Sequence, residues 1–107
     1  MRRLLARGGE LMSKGYIVAR IDVTDEDAYA RYARKATAVI EQYGGRVLVR
    51  GGACTVLEGE GRARNVVIEF ASRELAERYY NSPEYAAARE ARSGAAIADF
   101  VAVEGAA

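Results

Sequence analysis

The sequence predicts an α+β fold: a ferredoxin-like βαββαβ domain in which helices cover one face of a four-stranded antiparallel sheet. Three observations lead there. Runs at 16–23, 46–49, 65–71 and 97–104 are rich in β-branched residues or alternate apolar residues at period two. Between them, segments from Tyr29 to Tyr43 and from Leu75 to about Ser93 repeat apolar residues at spacings of three and four. With 107 residues, half of them hydrophobic, the chain can bury one core.

The elements follow in order. Residues 1–13 carry Gly8-Gly9 and scattered charge without a period, and read as a flexible leader before a single domain over 14–105. "YIVARIDV" sets Ile17, Ala19, Ile21 and Val23 on one face of a first strand. Thr24 is the expected N-cap of the first helix, with Asp25, Glu26 and Asp27 placing negative charge on its opening turn. A calcium loop starting at Asp22 would need glycine at its sixth position, where Asp27 stands, so capping explains these acids better.

"YGGRVLVRGG" (43–52) raises the possibility of a phosphate loop. Such a loop needs glycines between a strand and a helix N-terminus, where free amides face the anion. Gly44-Gly45 instead follows the last apolar helical position and reads as a helix stop. Gly51-Gly52 reads as a bulge or bend in an edge strand, leading into a further extended run, "ACTVLE", over 53–58. "GEGRAR" (59–64) is a polar turn, and Val66, Ile68 and Phe70 share one face of the next strand. Ser72 caps a short helix; Ser82 and Pro83 restart it, and Gly94 ends it before the last strand. The expected strand order is 4-1-3-2.

Period two then sets Val18, Arg20, Leu48, Arg50, Val67 and Glu69 on the face away from the helices. That face is too apolar for water alone and too charged for a monomer's core. A second copy covering it accounts for both features, so a homodimer is expected.

Those residues carry a resemblance. "KGYIVARIDVTDEDAYARY", "YGGRVLVRGG", "VLEG", "VVIEFAS" and "YYNSPEYAAAREARSGAAIADFVAVEG" resemble the bacterial domain-of-unknown-function family 1330, over about residues 14–105. The most specific parts are R-G-G after the second strand and S-P-E-Y with a downstream arginine. The resemblance implies a dimeric α+β barrel, of the superfamily that includes small cofactor-free monooxygenases and lactone isomerases. It implies no particular reaction.

Composition narrows the chemistry. There is no histidine and one cysteine, which excludes His–Cys zinc sites, His-ligated haem, Ser–His triads and disulfide frameworks; no metal or cofactor is expected. Cys54 reads as a small buried hydrophobe in a strand-like run. Sixteen basic residues, all arginine except Lys14 and Lys35, interleave with fifteen acids, so neither nucleic acid nor membrane is an expected partner. RNA-recognition modules of this fold need aromatics on their central strands, where Val67 and Glu69 stand. The chain's start has no sustained apolar stretch, and a cytoplasmic location is expected.

Two residue clusters are candidate ligand-binding sites. Tyr32, Tyr80, Tyr85 and Arg92 combine rings with a guanidinium, which suits a flat anionic or carbonyl-bearing small molecule; packed core tyrosines are the plain alternative. Arg20, Arg50 and Glu69 form the second, on three adjacent strands, with a structural ion-pair network as its alternative. The corresponding functions are a cofactor-independent enzyme acting on a small carbonyl or aromatic compound, with Tyr and Glu as acid–base groups, or a non-catalytic dimer binding a small ligand or a protein.

Overall fold

The computed structural model describes residues 13–106, so the leader expected over 1–13 lies almost wholly outside the described residues. The elements are β1 (Gly15–Val23), α1 (Glu26–Gln42), β2 (Arg46–Arg50), β3 (Arg64–Phe70), α2 (Arg73–Tyr80), α3 (Pro83–Glu90) and β4 (Ala96–Glu104). All strand pairs are antiparallel and the order is β2-β3-β1-β4, as the sequence predicts. The fold is the ferredoxin-like α+β arrangement.

Caps delimit the helices. Asp25, not Thr24, is the N-cap of α1, its carboxylate accepting from the Ala28 amide. Thr24 is drawn instead to the start of β4: its amide donates to the Ala95 carbonyl and its hydroxyl to that of Gly94. At the other end the Gly44 amide bonds Glu41 O and the Gly45 amide bonds Ile40 O, a Schellman closure with Gly44 at φ +73°. Ser72 and Ser82 cap α2 and α3, with Pro83 in the first turn. Regular helix stops at Glu90 rather than near Ser93, and turns carry the chain through Gly94 into β4.

Alternation on the inner face holds as expected. Ile17, Ala19, Ile21, Ile68 and Phe70 are buried against Tyr29, Tyr32, Ala36, Val39, Ile40, Ala76, Tyr79 and Tyr85 of the helices. Fully burying one such large side chain is worth about 1.5–3 kcal/mol, so this single layer between helices and sheet supplies the main drive to fold.

Two expectations fail at β2. The register shifts between Val47 and Val49: Val47 pairs with Ile68, but Val49 pairs with Val67 and Arg50 with Val66. This β-bulge at Leu48 inverts the parity of the residues after it. Val49 joins the outer face, and Arg50 lies on the helix side, not beside Glu69 as strict alternation requires. The extended run expected at 53–58 forms no strand and is exposed throughout. Gly51 bonds Asn65 O in a left-handed conformation, φ +66°, and turns the chain off the sheet edge, where no strand remains to pair with it. Cys54, expected buried, is exposed there and hydrogen-bonded to Asn65.

Among the described residues no helix covers the outer face; the segment at 60–62 reaches only its Arg20, Asp22 and Asp99 end. Val49, Val67, Val18 and Val101 form one row across all four strands. Ile97 (57% exposed), Val101 (56%) and Val103 (45%) extend the apolar area along β4.

Candidate functional site

Rings and guanidinium groups converge on the helix side of the sheet. Tyr32 of α1 and Tyr85 of α3 share a hydrogen bond, oxygen to oxygen at 2.7 Å, in the buried seam between those helices. Tyr85 also stacks against Tyr79 and Tyr80, each with its ring centroid at 4.9 Å. Arg92, just past α3, lays its guanidinium over the Tyr32 ring at 5.0 Å and over Phe100 of β4 at 5.2 Å. Tyr80 sits at the rim, its hydroxyl accepting from Arg89 Nη1 at 2.9 Å. Tyr32, Tyr80, Tyr85 and Arg92 are therefore brought together, with the Tyr32 and Tyr85 hydroxyls spent on each other.

Electrostatics follow from that burial. Desolvation, then the neighbouring Tyr85, pushes the Tyr32 phenol far above its usual range. Tyr79 rises for the same first reason, and so does Tyr85, although its bond to Tyr32 and the charge of Arg92 hold it back. Burial opposes the charge of Arg92, but the oxygens of Tyr85 and Tyr32 outweigh that cost and raise its pKa. These phenols stay protonated at any ordinary pH. They can donate or accept a hydrogen bond; they cannot serve as bases.

Between α1 and the sheet lies a cavity of about 50 Å³. Its inner walls are Ile21, Tyr32, Ala36, Ile40, Ile68 and Phe100, with Tyr29 and Tyr79 also reaching it; Arg50, Arg64 and Thr37 supply its other polar groups. No carboxylate or thiol lines it among the described residues. Phe100 also borders a wider groove of about 400 Å³ along β4, lined by Glu77, Tyr80, Asn81, Arg89 and Arg92.

The cluster expected from Arg20, Arg50 and Glu69 is dispersed. The bulge sends Arg50 to the cavity, where its Nη1 reaches Thr37 Oγ1 at 3.4 Å. Glu69 stays on the outer face with Arg46 at 3.5 Å and accepts from the Tyr16 hydroxyl at 3.2 Å. Arg20 lies opposite Asn65 and Asp99, four register positions along from Glu69, and bonds Glu60 O. Beside it Arg62 bridges Asp22 and Asp99 at 2.7 and 2.9 Å.

Sequence reasoning missed Tyr29, Thr37, Arg64, Tyr79 and Phe100. The signals existed for some of them. Tyr29 and Tyr32 are three apart on α1, and Arg64 continues the inward series Val66, Ile68, Phe70 by one step of two. Assigning Arg64 to a polar turn hid that step.

Residues 14–106 match the family model Domain of unknown function (DUF1330), and the chain belongs to that family. No curated protein matches it. Among solved structures, a protein of unknown function from Rhodopseudomonas palustris is 20% identical, with a TM-score of 0.71 over 89% of this chain and 84% of that one. The cofactor-independent oxygenase SnoaB from Streptomyces nogalater is 12% identical, with a TM-score of 0.60 over 89% of this chain and 95% of its own. A dimeric protein of unknown function and ferredoxin-like fold from Bacteroides fragilis is 13% identical, with a TM-score of 0.60 over 86% and 96%. At these identities the likeness is one of fold.

Proposed function

We propose that this protein is a homodimer of the α+β-barrel type that takes a small carbonyl compound into the cavity beneath α1. The observation that carries the reading is the cavity itself: apolar and aromatic walls, with polar groups gathered where β2 and β3 meet α1. Of the carbonyl and aromatic ligands considered from sequence, its volume of about 50 Å³ favours the former, since only a few non-hydrogen atoms fit. Tyr32 contributes to the wall; Tyr85, Arg92 and Tyr80 act behind it, holding Tyr32 and Phe100 in place. Glu69 belongs to the dimer face in this reading. Without a proton acceptor among the lining side chains, the site is suited to binding rather than acid–base turnover.

The partner copy would cover the valine row; the likeness to the dimeric Bacteroides fragilis protein supports this. The exposed, unpaired thiol of Cys54 supports a reducing, cytoplasmic setting. No described helix is long and apolar enough to cross a membrane.

Amide chemical shifts of the ¹⁵N-labelled protein test the site, with 2-butanone, butanamide and sodium butanoate as probes. The expected perturbations centre on Ala33, Thr37, Val47 and Ile68. Shifts confined to the Tyr80–Arg89 groove, or none for any probe, would overturn the reading. The likeness to SnoaB favours a second reading, an oxygenase in which the substrate's own anion reduces dioxygen. Oxygen uptake with 2,4-pentanedione, an enolisable diketone, would establish that one; binding alone leaves the oxygen level flat.

A further inference from the structure

We infer that the cavity's ligand carries a carboxylate, clamped between Arg50 and Arg64, with a short apolar chain behind it. This rests on the cavity reading above and adds a chemical class to it.

The first observation is placement. Arg50 pairs with Val66, and Arg64 stands two residues before Val66 on the same strand face, so the two arginines are diagonal neighbours on the inner side of the sheet. Residues in that relation lie about 7–8 Å apart, and both arginine side chains line the cavity. Only the bulge at Leu48 produces this; unbroken alternation would leave Arg50 on the other face.

The second is missing counter-charge. Arg46, Arg62 and Arg73 each have a carboxylate partner. Arg50 and Arg64, like Arg20, Arg31, Arg34, Arg78, Arg89 and Arg92, have none among the described residues; what sets these two apart is that they share a cavity with no acid in its lining. Like charges in such positions repel, and an anion between them removes the repulsion. Arg64 Nε is moreover buried without an acceptor, as is Arg92 Nε outside this cavity, a state that native proteins rarely leave unrelieved.

The third is that both guanidinium groups are held. Arg64 lies over the Tyr29 ring at 4.9 Å. A Cβ on Gly51 would come within 2.7 Å of Arg64 Cζ and 2.8 Å of its Nη1, so the glycine leaves room for the group. Arg50 is steadied by Thr37. The R-G-G stretch thus supplies one arginine and the space for the other. Its anion site is made of side chains, whereas a phosphate loop uses amides.

A bare anion would leave the apolar walls unused. A short-chain carboxylate fits both ends: paired oxygens for the arginine forks, and a few carbons among Ala36, Ile40, Val47 and Ile68.

Dissociation constants from amide-shift titrations, at constant ionic strength, test this with sodium butanoate, butanamide and inorganic phosphate. Butanoate should bind at least tenfold more tightly than either. Arg64→Gln and Arg50→Gln should each reduce butanoate affinity severalfold to tenfold and butanamide affinity by clearly less. Arg50 is exposed, so its variant reports even if the Arg64 variant folds poorly. Equal binding of butanoate and butanamide would overturn the carboxylate assignment and leave the cavity reading standing. Phosphate binding as tightly as butanoate would show an anion site without use for a carbon chain, and overturns it too. Binding by neither organic probe overturns the carboxylate assignment, and silence of 2-butanone as well overturns both readings.

Discussion

Tyr32 and Tyr85 illustrate how one buried contact sets both stability and chemistry. In the α1–α3 seam the two hydroxyls share a short hydrogen bond, with the Arg92 guanidinium beside them. Tyr32→Phe or Tyr85→Phe alone strands the surviving hydroxyl, and each should cost about 1–3 kcal/mol in urea unfolding. The double variant should cost less than the two together, because both polar groups leave at once. Additive costs would mean that the pair is not coupled. Titration gives a second measurement. The Tyr32 phenol, like those of Tyr79 and Tyr85, has a folded pKa raised above the ordinary 10.0, so the folded chain keeps protons that the unfolded chain releases. That contribution is complete below pH 10 and is lost as pH rises past it. Of the seven tyrosines, these three should ionise only as the protein unfolds, seen as a cooperative late step in phenolate absorbance. The convergence of Tyr32, Tyr80, Tyr85 and Arg92 was legible because helical spacing and the cap at Ser82 are local signals. The mutual satisfaction of the Tyr32 and Tyr85 hydroxyls was not, since it depends on how two helices distant in sequence meet.

Strand β2 shows where periodic reasoning stops. Alternation assigns the apolar inward residues of β1 and β3 correctly, missing only Arg64 at the start of β3, because both strands are paired on each side and their register is fixed. β2 lies at the sheet edge, where a one-residue bulge is tolerated and leaves no residue type as its mark. Alternation therefore puts Arg50 on the wrong face, and the extended run expected at 53–58 has no partner strand to pair with. The glycines around β2 separate two costs. Gly44 and Gly51 both have positive φ, +73° and +66°, yet a Cβ on Gly44 meets nothing within 4 Å while one on Gly51 collides with Arg64. Gly44→Ala should cost only the left-handed penalty, about 1–2 kcal/mol. Gly51→Ala should cost more and should displace Arg64, visible as a change in the Tyr29 ring resonances. Equal costs with unchanged Tyr29 signals would mean that Arg64 does not occupy that space.

At the scale of the whole molecule, a sheet one layer thick carries two unlike surfaces: a packed side with the cavity, and a side crossed by Val49, Val67, Val18 and Val101. Both the strand order and the apolar nature of the second side were legible, since a four-stranded ferredoxin-like sheet has helices for one face only. Specific dimers bury about 800 Å² per partner, an area this face could approach together with Leu48 and Ile97. Val67→Asp, at the centre of the row, should give an 11.6 kDa monomer or insoluble protein in sedimentation. A wild-type monomer at micromolar concentration would overturn the dimer. The valine row has a consequence for what stability means here. If half of the sheet's apolar surface is dried only by a second copy, folding is a bimolecular event governed by mass action. The melting midpoint then belongs to the solution as much as to the chain. It should climb by several degrees from nanomolar to micromolar protein, and in a soluble Val67→Asp variant it should stay level across that range.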